Sequence, residues 1–560
     1  MYRGNVERRF KGPKAWGVAM LALGFAFLAQ PAAHAATLDL MTASINDVQA
    51  AYATGKLTSE MVTQAYLARI AAYDDQGPGI NAVIMVNPNA IAEAKARDAE
   101  RAAGKVRGPL HGIPILVKDN YDTHDMPTTA GSQLLKGSIP AEDAFVVKKL
   151  RDAGAVIVAK VNMNEFAGSG GMVNGARDPA VIRVGRAPAG FSSLGLQTHN
   201  PHDLSRVPSS SSGGTGASVA AAYGQFGLGT DTGGSVRGPS SANGIVGLKT
   251  SYGLVSRAGI VPLALSLDTA GPMARNVSDL AIALSVMAGP DPKDPTTKMG
   301  AGKVEKDYTK FLKTGSLKGA RIGIARDFMG ADAGTDRVTA DAIIKLRQLG
   351  AVIVDPVKFP EHLMSARGPI YELLVNSEFK AQITDYLKTL KPGFPKTYDE
   401  IVKLANDPAT NYTSPQKAYA LKYSQARALE LTDPSYLALR DQMLPAFKAG
   451  VEAVFAANKL DAIFYPTNST PANQIEEPPA PAGTGSPGSP GNLVNESWLP
   501  EIVVPAGMTY SGDLPVTISF LGTAFSEAKL IGYAYDFEQA TKAIRLPKHT
   551  PALSSDVINY

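Results

Sequence analysis

Leu150-Arg-Asp-Ala-Gly154-Ala-Val-Ile-Val158 closes a helical stretch on a glycine and runs straight into a β-branched strand. The pattern returns as Leu346-Arg-Gln-Leu-Gly350-Ala-Val-Ile-Val354. A glycine just past a helix supplies the left-handed residue that ends it, and a Val/Ile run suits a buried strand. Two such units without a fixed repeat period mark an α/β fold and not a solenoid. Arg321-Ile-Gly-Ile-Ala325 adds a strand before the second unit. Upstream, Val62, Tyr66, Ile70 and Tyr73 fall at helical spacing behind Thr58-Ser59 as capping residues. An alanine-rich charged helix follows at about 90–103, broken by Gly108-Pro-Leu-His-Gly-Ile-Pro114 before a strand over Ile115–Lys118. Residues 360–457 read as mainly helical, and helical spacing returns at Leu530, Ala534 and Phe537. Nothing reads as a free linker, so one large α/β domain is expected over 36–560.

The chain has 560 residues, 44% hydrophobic and 19% charged, too apolar for disorder. It has no cysteine, which excludes disulfides, thiolate nucleophiles and Cys-based metal sites. Its formal charge of +4 hints at acidic partners until its location is considered. Residues 1–35 have a basic head, an apolar run and the small-x-small ending Ala33-His34-Ala35, the layout of a secretory signal peptide. Cleavage after Ala35 removes five basic residues and one acidic one, leaving 50 of each over 525 positions. The expected mature protein is neutral, periplasmic or secreted, with no stable membrane insertion, and nucleic-acid binding loses its compositional support.

Common hydrolase and nucleotide motifs are missing: there is no G-x-S-x-G elbow, no H-E-x-x-H and no Walker A loop. His199-Asn-Pro-His202-Asp203 has metal-ligand residue types, but its proline predicts a surface turn. The stretch that stands out is PSSSSGGTGASVAAAYGQFGLGTDTGGSVRGPSSANGIVGLKTSYG, residues 208–253. Interleaved Val219, Phe226, Leu228, Ile245, Val246 and Leu248 argue against a flexible linker, and only Ala217–Tyr223 reads as helix. Consecutive glycines let several N–H groups converge on one point, as an oxyanion hole requires. Thr232-Gly-Gly-Ser235 offers those N–H groups with a hydroxyl nucleophile at their end, and Ser211-Ser212-Gly-Gly lies 24 residues upstream. A buried lysine can act as base, because burial disfavours the ammonium. Lys118 ends an apolar strand and reads either as that base or as a strand-end surface charge.

Three segments in this order and spacing resemble the amidase signature family: Gly112-Ile-Pro-Ile-Leu-Val-Lys118-Asp-Asn120, Ser211-Ser-Gly-Gly-Thr215-Gly, and Gly229-Thr-Asp-Thr-Gly-Gly-Ser235-Val-Arg237. Gly247-Leu-Lys-Thr-Ser-Tyr-Gly253 fits as well, and the likeness runs from about Ile45 to Ala540. The resemblance implies a central mixed β-sheet covered by helices on both faces, with the catalytic core over about 108–275. It implies Ser235 as nucleophile, Ser211 as a bridging serine in a cis peptide link, and Lys118 as base. The backbone N–H groups of Thr232, Gly233, Gly234 and Ser235 would form the oxyanion hole, with Asp231, Arg237 and Ser212 in support. No cofactor and no metal are implied.

Two departures stand out. Ser209-Ser210 replaces the Gly-Gly common before the bridging serine, which is tolerable only if neither position needs positive φ. Residues 175–194 also read as an insertion of unassigned role. Gly253–Pro262, Asp268–Met273 and Leu514–Gly522 look most like the bacterial peptide amidase branch. The expected function is therefore an exported amidase acting on linear carboxamides, with peptide C-terminal amides as the leading substrate. The alternatives are a non-catalytic periplasmic binding protein on this fold, or the glutamyl-tRNA amidotransferase A subunit type. Residues 476–491 (EEPPAPAGTGSPGSPG) can only be a loop.

Overall fold

Both α–Gly–β units form. In the computed structural model, helix Phe145–Asp152 ends with Gly154 at φ 89°, and helix Ala333–Gln348 ends with Gly350 at φ 87°. In each, the glycine N–H and the following alanine N–H fold back onto carbonyls of the last turn, Arg151 and Leu150 in one, Arg347 and Leu346 in the other. This double closure is the Schellman motif, and it aims the chain into the next strand. The structure describes Gly12 and residues 36–168, 187–476, 490–510 and 512–560. The expected signal peptide thus lies outside the described residues apart from Gly12, as do 175–186 of the insertion and 477–489 of the Pro/Gly-rich loop.

Thr37–Tyr560 form one unit around an eleven-stranded mixed sheet. In chain order the strands are β1 (Val83–Val86), β2 (Pro114–Lys118), β3 (Val156–Val161), β4 (Phe226–Asp231), β5 (Val246–Lys249), β6 (Thr269–Ala274), β7 (Arg321–Ile324), β8 (Val352–Val354), β9 (Ala462–Pro466), β10 (Glu501–Met508) and β11 (Pro515–Leu521). Across the sheet they run β8-β7-β9-β11-β10-β5-β6-β4-β2-β3-β1. β2 lies parallel between β3 and β4, while β6 is antiparallel to both β4 and β5.

Side-chain alternation along β2 decides where Lys118 points. Ile115 and Val117 enter one core layer, beneath helices Ser59–Tyr73, Val277–Met287 and Glu527–Thr541. Leu116 enters the layer on the opposite face, against helix α1 (Gly213–Ala220). Two residues on, Lys118 shares that second face. Helices therefore cover both faces of the sheet.

The Ser/Gly-rich stretch is neither linker nor loop: it supplies α1, β4, a short helix α2 (Arg237–Ala242) and β5, almost all buried. Helix α1 starts four residues before the expected Ala217 and stops at Ala220. Its glycines explain the difference. A Cβ on Gly214 would stand 2.1 Å from the Asn162 carbonyl oxygen, so only glycine lets this turn lie against the end of β3. Residues 361–458 are mainly helical as expected, and their long helix α3 (Glu361–Lys388) packs Leu374, Phe379 and Ile383 against Phe166. His199–Asp203 does form a turn, but His202 is buried beneath it and hydrogen-bonds the Asn243 carbonyl (3.1 Å). Burial pushes its pKa down to about 4.

Candidate active site

Lys118 is 0% exposed, which settles the choice between surface charge and buried amine. Its Nζ donates to three hydroxyls: Ser211 Oγ at 2.9 Å, Ser212 Oγ at 3.0 Å and Thr230 Oγ1 at 2.7 Å. Ser211 and Ser212 stand at the entry of α1 and Thr230 near the end of β4, so the register of β2 with β4 fixes the cluster. Burial pushes the Lys118 pKa down to about 7, while the more distant Asp231 and Asp268 pull it part of the way back. Holding the charged form in this place costs about 4–5 kcal/mol relative to water. The neighbouring Ile115, Leu116 and Val117 are fully buried, each contributing roughly 1.5–3 kcal/mol, so β2 can carry that load.

Ser235 follows Gly234, whose φ of 120° is open to glycine and hardly to any other residue. The Ser235 Oγ accepts a hydrogen bond from the Ser211 backbone N–H at 3.3 Å. The structure thus brings Lys118, Ser211 and Ser235 together, with Ser211 in the middle. The Ser211 and Ser235 hydroxyls do not hydrogen-bond each other; Ser211 Oγ is engaged by Lys118.

Two details differ from what the resemblance implies. The peptide bonds flanking Ser211 are trans, and Asp355–Pro356 is the one cis bond among the described residues. Trans is the lower-energy form of a non-proline link by about 3 kcal/mol, and here it directs the Ser211 N–H at Ser235. Ser209 takes the positive φ (71°) that its serine-for-glycine replacement had to avoid. Gly238 opposite it makes room, since a Cβ there would stand 2.7 Å from the Ser209 Oγ.

The expected oxyanion hole loses a member. The Gly234 N–H turns inward to Asp231 Oδ1 (2.7 Å). The N–H groups of Thr232, Gly233 and Ser235 meet no acceptor among the described residues. Asp231 organises the turn: its other carboxylate oxygen accepts the Val236 N–H at 2.9 Å and the Arg237 Nε at 3.1 Å. Arg237 also reaches Glu501 (2.8 Å), the Asn495 side chain (2.5 Å) and the Gly491 carbonyl (3.2 Å). Burial alone would push the Asp231 pKa up; the guanidinium beside it holds it well below the usual carboxylate range. Asp231 and Arg237 are therefore a brace, and Ser212 positions Lys118 while donating to the Thr230 carbonyl (3.2 Å). Replacing Arg237 with Ala leaves Asp231 and Glu501 buried without the guanidinium that hydrogen-bonds both, and should lower unfolding stability by about 3–5 kcal/mol, read from denaturant midpoints.

Four participants carry no distinguishing signal in the sequence. Thr230 sits inside the Gly229–Arg237 motif as an ordinary strand residue. Asp268 accepts from Thr232 Oγ1 (2.5 Å) and from the Leu263 and Ala264 N–H groups (2.9 and 3.1 Å). Asn495 donates to the Asp231 carbonyl at 3.1 Å. Tyr371 of α3 places its hydroxyl so near Gly233 that a Cβ there would be 2.5 Å away. A small cleft opens beside the lysine cluster, lined by Asn120, Thr230, Thr232, Asp268, Ile260 and Val261. Elsewhere His124, Asp125 and Asp143 converge as metal ligands could, but Arg151 already pairs with both carboxylates, at 2.7 and 3.2 Å.

Comparison with known proteins places the chain in a family. The amidase family model matches residues 61–531. The solved peptide amidase of Stenotrophomonas maltophilia superposes with a TM-score of 0.82 at 38% identity, covering 91% of this chain and 99% of that one. A probable amidase of Arabidopsis thaliana is 35% identical over 519 residues, 91% of this chain and 92% of its own length. The A subunit of the glutamyl-tRNA(Gln) amidotransferase of Carboxydothermus hydrogenoformans is 35% identical over 512 residues, 90% of this chain and 98% of its own. With the match running through the sheet, the lysine strand and the Ser/Gly-rich turn alike, the chain belongs to the amidase family, enzymes that hydrolyse carbon–nitrogen bonds.

Proposed function

We propose that the protein is an exported amidase that hydrolyses linear carboxamides, peptide C-terminal amides first among them, through an acyl-enzyme on Ser235. The observation carrying this reading is the buried Lys118 amine on Ser211 Oγ (2.9 Å), with Ser211 touching Ser235 and three backbone N–H groups open beside it. With a pKa near 7 the lysine is partly neutral and can accept a proton. Ser235 attacks the amide carbonyl as its proton passes to the Ser211 oxygen and the Ser211 proton passes to Lys118. This requires the two serine hydroxyls to close on each other when substrate binds, a tightening usual on passing from the free to the bound site. The oxyanion forms against the Thr232, Gly233 and Ser235 N–H groups. The relay then returns the proton to the departing nitrogen, and water hydrolyses the ester formed on Ser235.

Export rests on the signal layout of residues 1–35, and the neutral mature composition supports a small amide over nucleic acid. The amidotransferase A subunits among the relatives favour a second reading, in which ammonia released here serves a partner. One preparation tests both. The protein recovered from the periplasm or medium should begin near Ala36 and release ammonia from peptide and simple carboxamides without added subunits. A full-length membrane-bound form refutes export, and glutamine hydrolysis that needs partner chains selects the second reading.

A further inference from the structure

Helix α4 (Asn492–Glu496) carries Asn492, Asn495 and Glu496 at i, i+3 and i+4, which places them along one face. Asn492 and Asn495 lie against the Ser/Gly-rich turn, and Tyr371, which also reaches Gly233, feels the Glu496 charge. Asn495 donates to both the carbonyl and the carboxylate of Asp231, at 3.1 and 3.0 Å. A Cβ on Gly233 would come within 2.9 Å of the Asn492 Oδ1 and 2.5 Å of the Tyr371 hydroxyl.

Glu496 is 0% exposed, and neither of its carboxyl oxygens accepts a hydrogen bond among the described residues. The other acids at the site differ. Asp231 is bound by Arg237, Asn495 and backbone N–H groups, and Asp268 by Thr232 and two N–H groups. Arg367 lies near enough to feel the Glu496 charge, while its Nη1 donates to the Pro490 carbonyl (2.8 Å). Burial pushes the Glu496 carboxyl up to about 8, with Arg367 drawing it back, and the Tyr371 hydroxyl senses the same charge. Buried polar atoms are nearly always hydrogen-bonded, and a carboxyl with neither oxygen paired calls for a donor.

We propose that Glu496 is a specificity residue that receives an ammonium group carried on the acyl part of the substrate, so that the preferred amides bear a free amine close to the scissile carbonyl. The inference rests on the amidase reading of the site. An ammonium brings three donors and a positive charge to two oxygens that accept no hydrogen bond among the described residues, whereas an acylated nitrogen brings one donor and no charge.

The test separates binding from turnover. Leucinamide and N-acetyl-leucinamide are titrated calorimetrically into the Ser235→Ala protein and into Ser235→Ala/Glu496→Gln, while the wild-type protein is assayed for ammonia release from both. Leucinamide affinity should fall about 10–100-fold with Gln at 496, and affinity for the acetylated amide should stay within about twofold. Equal losses for the two ligands would show a structural role and overturn the proposal, as would no loss for leucinamide. If the double variant does not fold, the preference of the Ser235→Ala protein itself decides: tenfold tighter binding of leucinamide supports the contact, and equal binding or a preference for the acetylated ligand rejects it. Failure of the wild-type protein to hydrolyse any amide counts against the amidase reading and leaves the binding comparison standing on its own.

Discussion

Ser235→Ala should reduce amide hydrolysis by on the order of 10⁴-fold or more while leaving the fold in place. The size follows from what the hydroxyl is asked to do. In the proposed reaction it is the attacking atom, and without it only the backbone N–H groups and substrate positioning remain. The stability half of the result follows from what the hydroxyl does not do. The turn is held by Asp231, through the Gly234 and Val236 N–H groups and the Arg237 side chain, and none of these contacts involves the Ser235 Oγ. Its one partner among the described residues is the Ser211 N–H at 3.3 Å, a long hydrogen bond whose loss costs about 1 kcal/mol or less. Ammonia release and the denaturant midpoint should therefore separate: the first near background, the second almost unmoved. Hydrolysis within tenfold of wild type would remove Ser235 from the chemistry, and a collapse of stability would turn it into a packing residue.

Much of this site can be read from the chain because its parts are local. The two α–Gly–β units are legible since a left-handed glycine and a Val/Ile run each act within a few residues, and both form with the same backbone closure. Lys118, Ser211 and Ser235 are legible as residue types in motifs. What a motif leaves out is three-dimensional. Whether Lys118 is buried depends on β3, β4 and α1 closing over it, with hydrogen-bond partners as far as 112 residues away. Which N–H groups in Thr232–Ser235 stay open depends on the Asp231 carboxylate capturing one of them. Ser209 adopts the very backbone its sequence disfavours, because its surroundings and not its own preference fix φ. Asn495 and Glu496 follow a Pro/Gly-rich stretch with no motif, and matter only because α4 returns to the turn from 264 residues downstream. The limits of α1 escape a sequence reading for a related reason: its glycines are chosen for closeness to β3, a demand that helix propensity does not record.

Lys118→Met should abolish hydrolysis, by about 10⁴-fold, and yet leave a protein at least as stable as wild type at pH 6. The two effects share one cause. In the unfolded chain this lysine keeps its proton up to the ordinary value of 10.5; in the fold, burial brings the pKa down to about 7. Below pH 7 both states are protonated, and the folded state carries the whole cost of a buried ammonium, about 4–5 kcal/mol. Between about pH 7 and 10.5 the unfolded chain holds more protons than the folded one, so stability rises with pH, by up to about 1.4 kcal/mol per unit for each such group. Lys249 is driven down to about 7 by the same burial and adds its own share. Methionine fills the volume without a charge, so the variant should gain stability at low pH and lose one group's part of the slope measured from pH 7 to 10. Two of the three hydroxyls left behind keep other partners: Ser212 donates to the Thr230 carbonyl (3.2 Å) and Thr230 accepts from Asn120 (3.1 Å). In the wild-type protein, activity should fall as pH drops through 7, where the amine proposed to take the Ser211 proton is itself protonated. A profile flat below pH 6 would exclude a lysine base. A variant that loses activity and stability together at every pH would make Lys118 a structural residue. A gain in stability bought with the whole of the activity is the outcome that distinguishes a group kept in the core for proton transfer, because structure alone would favour its replacement.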